Sequence, residues 1–466
     1  MTSSGERSKF LEKIILPKLV GRPQTALDNF GTIHRLGIGQ ARMWAMRAMA
    51  PKDVPCGLLN AVAVRLTGEL DVDCLGEAIR HVTWRHEALR TLIVSANGVA
   101  IQAILNTLEV ELSLEELTSS ADEENRAFEV LNSFWQSPMD LTQNSLWEPL
   151  LVKVGGVCST LALRFHSLLF DAWSSALVVS EIAAAYRALT TRQPQTMPIV
   201  GVHMADYVQW KHDQQSAAID LHLSYWASHL TGAPPICFGD GGDWRPRKSV
   251  AGAVFSFTLP SDISEMWQPL VRTSAVTPYM ILFSLFAIQV AKYSQNQDLV
   301  LGLVGGRGMP QLFRTVGYCA NFAPVRVTIR PGTFREVLLG IKAQTLAAQE
   351  HHYPHIEDLQ ERLGIDDPFC RVQFHFNPSG SGTRFGPEPA DFGAGLSSES
   401  IFPNLDTCCL YEDFIFTVLP SKLRTDIRIV YRRDLVSESF VRRFADDFSS
   451  SLAKALANPD FVITIK

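Results

Sequence analysis

Residues 147–189 read WEPLLVKVGGVCSTLALRFHSLLFDAWSSALVVSEIAAAYRAL. The first part consists of two apolar segments around the pair Gly155-Gly156, a pattern that predicts two strands joined as a hairpin. Apolar residues then follow helical spacing over 174–189, and Ser174 is a candidate N-cap of this helix. A hairpin that leads into an amphipathic helix indicates a mixed α/β fold.

The same mixture of patterns occurs on both sides of this stretch. Upstream, residues 57–70 alternate like a strand, and residues 70–89 have the spacing and the acidic start of a helix. Downstream, residues 279–291 form an apolar helical run and residues 370–378 a strand. Since strands and helices do not alternate strictly, we expect two α/β units of similar build, with a boundary near 190–205.

Composition limits the classes of function. Of the 466 residues, 46% are hydrophobic and 19% are charged, which is typical of a globular protein. The 42 Lys and Arg against 48 Asp and Glu give a net charge of −6, so nucleic acid and anionic lipid are not generally attracted. The N-terminal stretch lacks the apolar core of a signal peptide, and the run 277–294 fits a buried helix better than a membrane span. We therefore expect a cytoplasmic protein without nucleic-acid or membrane partners.

The eight cysteines carry no metal-site pattern. They occur singly apart from Cys408-Cys409, and neither a CxxC motif nor a Cys/His ligand spacing is present. We expect free thiols and no bound metal.

Several short segments, taken in order, resemble the motifs of the condensation domains of nonribosomal peptide synthetases. They are 39–44 (GQARMW), 85–91 (RHEALRT), 206–210 (DYVQW) with 225–226 (YW), 316–326 (VGYCANFAPVR) and 353–355 (YPH). Each segment alone is a weak signal. Their order and spacing over about residues 35–460 are similar to those of the family.

The resemblance implies a fold of two chloramphenicol-acetyltransferase-like subdomains in a V shape, with the active site in a tunnel between them. We expect an N-terminal leader over 1–30, an N-terminal subdomain over 31–200 and a C-terminal subdomain over 201–466. One such unit accounts for the whole length, which suggests a free-standing protein. It would bind no cofactor of its own, and its substrates would arrive on the phosphopantetheine of partner carrier proteins.

The chain departs from the family at the active-site pattern HHxxxDGxS. His166 matches the first His, Ser167 replaces the second, which is the family's principal catalytic position, and Asp171 matches the Asp. Serine cannot act as a base near neutral pH, whereas His can. Loss of proton transfer would cost on the order of 10²–10⁴ in rate. Alternatively, Ser167 donates a hydrogen bond to the substrate while an amine attacks by proximity.

Other residues near this pattern have predicted supporting roles. A buried carboxylate needs a partner, and the resemblance implies that Arg90 pairs with Asp171. Ser174 is predicted to cap a helix rather than to react. Trp173 could line the tunnel, but core packing is favoured.

His166 is one candidate substitute base, although the resemblance implies a mostly structural role for the family's first His, and His375 is another. Alternation in the strand CRVQFHFNP places polar residues on one face and apolar ones on the other. The polar set is Gln373, His375 and Asn377, and the apolar set is Val372, Phe374 and Phe376. In the related heterocyclisation domains a functional Thr holds the position of His375, so a substitute base is weighed against an ordinary hydrogen-bonded histidine.

These observations favour an acyltransferase of the condensation type, which would join a carrier-bound acyl thioester to an amine or, less favoured, an alcohol. Replacement of the catalytic His by Ser167 motivates an alternative, a degenerate module that binds carrier proteins or recruits a tailoring enzyme. Heterocyclisation is a lesser alternative, because Asp171 and Ser174 retain two of the three positions of that pattern. The residues Asn321 and Arg326 match ordinary condensation domains instead and are expected to support the site.

Overall fold

The structure is a computed structural model that describes most of the chain. The described residues are 30–49, 59–96, 99–117, 123–137, 139, 145–194, 196–237, 251–260, 263–305, 307, 309–351, 359, 362, 364, 370–377, 390–393, 395–401, 408–409, 412–420 and 424–465. The predicted leader apart from Phe30, the residues Asn97-Gly98, whose sequence is typical of a hairpin turn, the motif 353–355 and most of a Gly- and Pro-rich segment at 377–395 lie outside the described residues.

The chain divides into two compact units. The first comprises Met1–His212, Met309–Cys319 and Thr383–Asn404, and the second comprises Asp213–Gly308, Ala320–Gly382 and Leu405–Lys466. The subdomains predicted from the sequence assume a single cut at residue 200. In the structure, two segments from the second half of the chain belong to the first unit.

The first unit contains two sheets. The larger has the strand order β13-β2-β7-β6-β5, and the smaller has the order β1-β4-β3. Their strands are β1 (Phe30–Arg35), β2 (Leu59–Thr67), β3 (Thr91–Ala96), β4 (Val99–Leu105), β5 (Ser113–Leu117), β6 (Trp147–Val154), β7 (Cys158–His166) and β13 (Ser397–Ile401). Strand β5 runs parallel to β6, and the other pairs are antiparallel. The predicted hairpin of β6 and β7 is confirmed.

Helices accompany these sheets along the chain. They are α1 (Ile38–Met49), α2 (Val72–Arg85), α3 (Glu123–Gln136), α4 (Ala172–Thr191) and α5 (Met204–Leu230), and α5 passes from the first unit into the second at His212. The predicted helix over 174–189 is confirmed as α4, which is longer at both ends. Asp71 is the N-cap of helix α2, and its side chain accepts a hydrogen bond from the backbone N–H of Cys74 at 2.9 Å.

The second unit contains a seven-stranded sheet with the order β10-β9-β12-β15-β16-β8-β14 and a small sheet of β11 and β17. The strands are β8 (Ala251–Leu259), β9 (Asp298–Gly305), β10 (Asn321–Thr328), β11 (Gly332–Thr333), β12 (Val372–Phe376), β14 (Cys408–Cys409), β15 (Phe414–Pro420), β16 (Thr425–Arg432) and β17 (Val462–Ile463). Strand β12 is parallel to both of its neighbours, and the remaining pairs are antiparallel. The predicted mixed α/β class is therefore confirmed.

The helices of the second unit are α6 (Ile263–Met266), α7 (Gln268–Ser274), α8 (Pro278–Ser294), α9 (Phe334–Glu350) and α10 (Glu438–Ala457). Helix α8 is almost wholly buried, and its Phe286 packs against Phe374, Phe416 and Phe444 with ring centroids 5.2–6.2 Å apart. Among the described residues, no single helix has the length and apolar content needed to cross a membrane. Helices α7 and α8 meet that test only when joined, and they bend by 95°.

Candidate functional site

The candidate residues His166, Ser167 and Asp171 lie on one tight turn of the first unit, between the end of β7 and the start of α4. The carbonyl oxygen of His166 accepts hydrogen bonds from the N–H groups of Leu169 at 3.0 Å and Phe170 at 3.2 Å. The last residue of a buried strand therefore closes the turn that leads into the helix.

The ring of His166 is engaged within this turn. The side chain is 3% exposed, and its Nδ1 accepts a hydrogen bond from the N–H of Leu168 at 3.0 Å. An imidazole nitrogen that accepts must carry a lone pair, so the ring is neutral and its hydrogen is on Nε2. Because Nδ1 holds the only ring lone pair of this tautomer, His166 cannot take up a proton without losing the bond to Leu168.

The hydroxyl of Ser167 is oriented by Asn60 on β2. The Asn60 amide nitrogen donates to Ser167 Oγ at 3.1 Å and to the carbonyl oxygen of Phe170 at 2.7 Å. The carbonyl oxygen of Phe170 can only accept, so the NH₂ group of Asn60, and not its amide oxygen, faces Phe170 and Ser167. Ser167 Oγ therefore accepts from Asn60, and its own hydrogen is directed to a different acceptor. The serine is half-buried, and it is presented as a hydrogen-bond donor.

Asp171 organises the start of α4. The carboxyl group is 8% exposed, and Oδ1 accepts from the backbone N–H of Ser174 at 2.8 Å and from its hydroxyl at 2.7 Å. Oδ2 accepts from the N–H of Cys319 at 3.1 Å. Asp171 is thus the N-cap of the helix, and the prediction that Ser174 is the cap is wrong, because Ser174 lies within the first turn.

Ser174 instead connects two of the sequence motifs. Its side chain is fully buried, and its Oγ lies 2.9 Å from the N–H of Gly317, which donates to it, and 2.7 Å from the carbonyl oxygen of Gly317. A Cβ at position 317 would lie 2.5 Å from Met204 Sδ and 2.9 Å from Met204 Cβ. The close packing of residue 317 against Met204 therefore requires glycine. The segment 316–319 is therefore held against the start of α4.

Trp173 projects from the same helix turn. Its indole Nε1 donates to the carbonyl oxygen of Phe313 at 2.9 Å, and the two rings lie 5.4 Å apart. The half-buried indole thus attaches the segment around Phe313 to α4.

Arg90 does not pair with Asp171. Its Nη1 donates to the carbonyl oxygens of Leu105 and, at 3.0 Å, Asn106, at the end of β4. The predicted ion pair is wrong, because the Asp171 carboxylate is stabilised by N–H donors at a helix N-terminus, where the helix dipole also favours negative charge. Burial lowers the pKa of Arg90. Through its bonds to the backbone at the end of β4, Arg90 supports the turn between α2 and β3.

The motif 85–91 contains a buried ionic cluster. Glu181 Oε2 on α4 contacts His86 Nε2 at 2.7 Å and Arg85 Nε at 2.9 Å. Burial alone would raise the pKa of Glu181, but the hydrogen bond from His86 and the charge of Arg85 lower it overall. Burial lowers the pKa of His86, in keeping with a neutral ring that donates to the carboxylate. This cluster joins α2 to α4.

His375 lies in the second unit, on β12. Its Nε2 is 2.8 Å from Gln373 Oε1, and the Gln373 amide nitrogen is 3.3 Å from Glu412 Oε1. The Glu412 carboxylate can only accept, so the NH₂ group of Gln373 faces Glu412 and the amide oxygen of Gln373 faces His375. His375 therefore donates to that oxygen through Nε2. Burial lowers the pKa of His375 from 6.5 to about 4, so the imidazole is neutral at pH 7 and is a weak base. The predicted faces of the strand are confirmed, since Val372 and Phe374 lie in the core.

The remaining predicted residues lie on β10 of the second unit. Asn321 begins this strand, and its side chain is outside the described part of the structure. Arg326 binds both oxygens of Asp298, at 2.8 and 2.6 Å, and its Nη1 donates to the carbonyl oxygen of His229 at 2.8 Å. The hydrogen bond to Asp298 raises the pKa of Arg326. Arg326 therefore holds the start of β9 and the end of α5.

Within the described ranges, no group of three or more His, Cys, Asp or Glu side chains could hold a metal ion. Cys74, Cys158, Cys237, Cys319 and Cys370 are free thiols. The pair Cys408-Cys409 forms β14, and its side chains are outside the described part of the structure.

The family model described as Condensation domain matches residues 35–464. Among curated proteins, phosphinothricin tripeptide synthetase PhsC of Streptomyces viridochromogenes is 28% identical over 371 residues, which cover 77% of this chain and 33% of that protein. The chain thus spans about a third of the length of this relative.

Solved structures have the same fold. The first condensation domain of the calcium-dependent antibiotic synthetase, in complex with substrate analogue 3a, matches with a TM-score of 0.79 at 18% identity, over 93% of this chain and 98% of that one. The SgcC5 protein of Streptomyces globisporus matches with a TM-score of 0.75 at 20% identity, over 91% of this chain and 99% of that one.

Proposed function

The chain belongs to the condensation domain family, and we propose that it joins an acyl group held as a thioester on a carrier protein to an amine, forming an amide bond. The observation that carries this proposal is the oriented hydroxyl of Ser167. At the position where the family has its catalytic His, Ser167 accepts a hydrogen bond from Asn60, so its own hydrogen is left to be donated elsewhere. This arrangement supplies a donor rather than a base.

Amide formation from a thioester requires an uncharged amine, a positioned carbonyl and stabilisation of the developing oxyanion. A hydroxyl held as a donor meets the last requirement, because it can bond to the thioester oxygen as that oxygen gains charge. Asp171 and Ser174 keep the turn in place through Cys319 and Gly317. The role of Asp171 is therefore positioning rather than proton transfer.

The donor is proposed to arrive on the phosphopantetheine arm of a carrier protein. Family membership supports this, since the matched relative is a peptide synthetase. We place the reaction in the cytoplasm, because the described cysteines Cys74, Cys158 and Cys237 are free thiols that are not fully buried, as in a reducing compartment.

The test supplies a carrier protein loaded with acyl thioester and a panel of amines, and follows the product by mass spectrometry. Wild type, Ser167→Ala, Ser167→His and His375→Ala are compared. Glu77→Gln, which alters an exposed pair on α2, serves as a control for general damage. We expect turnover by wild type and the control, a loss of on the order of 10² with Ser167→Ala, and little change with His375→Ala.

Three results would contradict the proposal. Carrier binding without turnover by wild type would favour the alternative of a binding module that recruits other enzymes. A ring-closed product from a Ser, Thr or Cys substrate would favour heterocyclisation. Turnover that depends on His375 would make that residue the base and would contradict the role assigned to Ser167.

A further inference from the structure

The residues His166, Ser167 and His375 are each poorly suited to accept a proton from a nucleophile, and this restricts the acceptor. His166 uses its ring lone pair to accept from the N–H of Leu168 at 3.0 Å. The side chain is 3% exposed, so solvent does not replace that bond when it is broken. A proton on Nδ1 would turn the acceptor into a donor facing another donor.

Among the described residues, the side-chain partner of Ser167 is a donor, which cannot deprotonate it. Its contact with Asn60 is a bond in which the serine accepts, so the amide cannot draw off the hydroxyl hydrogen. Asn60 is itself fixed by its second bond, to the carbonyl oxygen of Phe170. The hydroxyl can therefore polarise a carbonyl, but it cannot remove a proton from a nucleophile.

His375 in the second unit donates through Nε2 to Gln373, which is held in turn by Glu412. Burial keeps the pKa of this ring at about 4. A base this weak gives little rate advantage at pH 7.

Building on the proposed function, we infer that the acceptor is a weakly basic amine, such as an aromatic amine, a hydroxylamine or a hydrazine, and that alcohols are excluded. Such a nitrogen is uncharged at neutral pH and attacks with its own lone pair. An alcohol must lose its proton as it attacks, and the residues at 166, 167 and 375 do not accept that proton.

The bonds balance without a co-reactant. The nitrogen lone pair forms the new C–N bond to the thioester carbon, and the carbonyl electrons move to the oxygen that faces the Ser167 hydroxyl. The carbonyl then re-forms as the C–S bond breaks and the sulfur leaves with its electron pair. One hydrogen passes from nitrogen to sulfur through solvent, which gives an amide and a free thiol.

The test uses the full chain at pH 7 with three acceptors of similar size: phenylhydrazine, benzylamine and benzyl alcohol. Acetyl, octanoyl and phenylalanyl thioesters of N-acetylcysteamine serve as donor probes. We expect transfer to phenylhydrazine to exceed transfer to benzylamine at least about tenfold, because benzylamine is mostly protonated, and no enzymatic transfer to benzyl alcohol. Ser167→His should raise transfer to benzyl alcohol by about 10²–10⁴ relative to wild type, because it adds a base.

The outcomes separate this inference from the proposed function. Transfer by wild type to benzyl alcohol as fast as to phenylhydrazine would overturn the inference and leave the acyltransferase intact. Transfer to none of the acceptors from any donor would overturn the proposed function and the inference together. The comparison of acceptors with wild type alone decides the matter if Ser167→His does not fold.

Discussion

The side-chain amide of Asn60 donates a hydrogen bond to Ser167 Oγ at 3.1 Å. The two residues are 107 positions apart, on β2 and on the turn that precedes α4. Because this contact uses a lone pair of the serine oxygen, it restricts the orientation of the hydroxyl and leaves its hydrogen to be donated to another group. It is the reason that replacement of a histidine by serine is compatible with catalysis in the proposed function.

Asn60 is a positioning residue, and its effect should depend on Ser167. Replacement Asn60→Ala should lower kcat about 2- to 10-fold in the wild-type background, the range expected for one hydrogen bond. In a Ser167→Ala background the same replacement should leave kcat unchanged, because no hydroxyl remains to be oriented. The check is a double-mutant cycle of kcat and KM. Equal effects in both backgrounds would show that Asn60 is merely structural.

Asp171 should contribute more to the free energy of unfolding than an ordinary helix cap does. Asp171→Ala removes a buried carboxylate that accepts from Ser174 and Cys319, so we expect a loss of about 3–5 kcal/mol in the free energy of unfolding. The matched control is Asp71→Ala, which removes the exposed cap of α2 and should cost about 1 kcal/mol. Urea denaturation of both variants measures the difference. Equal losses would argue against an organising role for Asp171.

The buried cluster in the motif 85–91 predicts a second contrast. Glu181→Ala leaves Arg85 and His86 without their carboxylate in the interior, and we expect a loss of about 3–5 kcal/mol. Glu77→Ala breaks an exposed pair with Arg80 and should cost less than about 1 kcal/mol. Thermal and urea unfolding give both values. A small effect of Glu181→Ala would mean that the cluster does not join α2 to α4.

The lowered pKa of His375 predicts a pH dependence of stability. The folded protein binds a proton at this ring only near pH 4, whereas an unfolded chain binds it near 6.5. Stability is therefore complete above pH 6.5 and falls as the pH decreases to about 4, by at most about 3 kcal/mol. His375→Gln has no ring that titrates here. The free energy of unfolding of the variant, relative to that of wild type, should therefore increase by that amount between pH 7 and pH 4. A difference that does not change with pH would contradict the neutral state of the half-buried His375 ring.

Local patterns in the sequence predict the elements well. Helix α8 and the hairpin of β6 and β7 follow from apolar periodicity and from a Gly-Gly pair, because the information lies within a few residues. The polar and apolar faces of β12 follow from alternation for the same reason. Strand β13 pairs with β2 across more than 300 residues of sequence, and no local pattern indicates this pairing.

The partners in the site are less predictable than its members. The resemblance assigns Arg90 to Asp171 as a partner, whereas the donors to its carboxylate are Ser174 and the backbone of Cys319. A backbone N–H has no signature in a sequence, so this contact cannot be anticipated. Asn60 has one signal in the sequence, because it is the polar residue in the apolar run 59–64 of β2, but alternation alone does not predict which residue it contacts.

The most direct test of the account is the single-turnover rate of acyl transfer from a preloaded carrier protein to an amine, measured for wild type and Ser167→Ala at equal folded fractions. We predict measurable transfer by wild type and a decrease on the order of 10² for Ser167→Ala, because the oxyanion loses its donor. Equal rates for the two proteins would show that the hydroxyl is dispensable and would contradict the role assigned to Ser167.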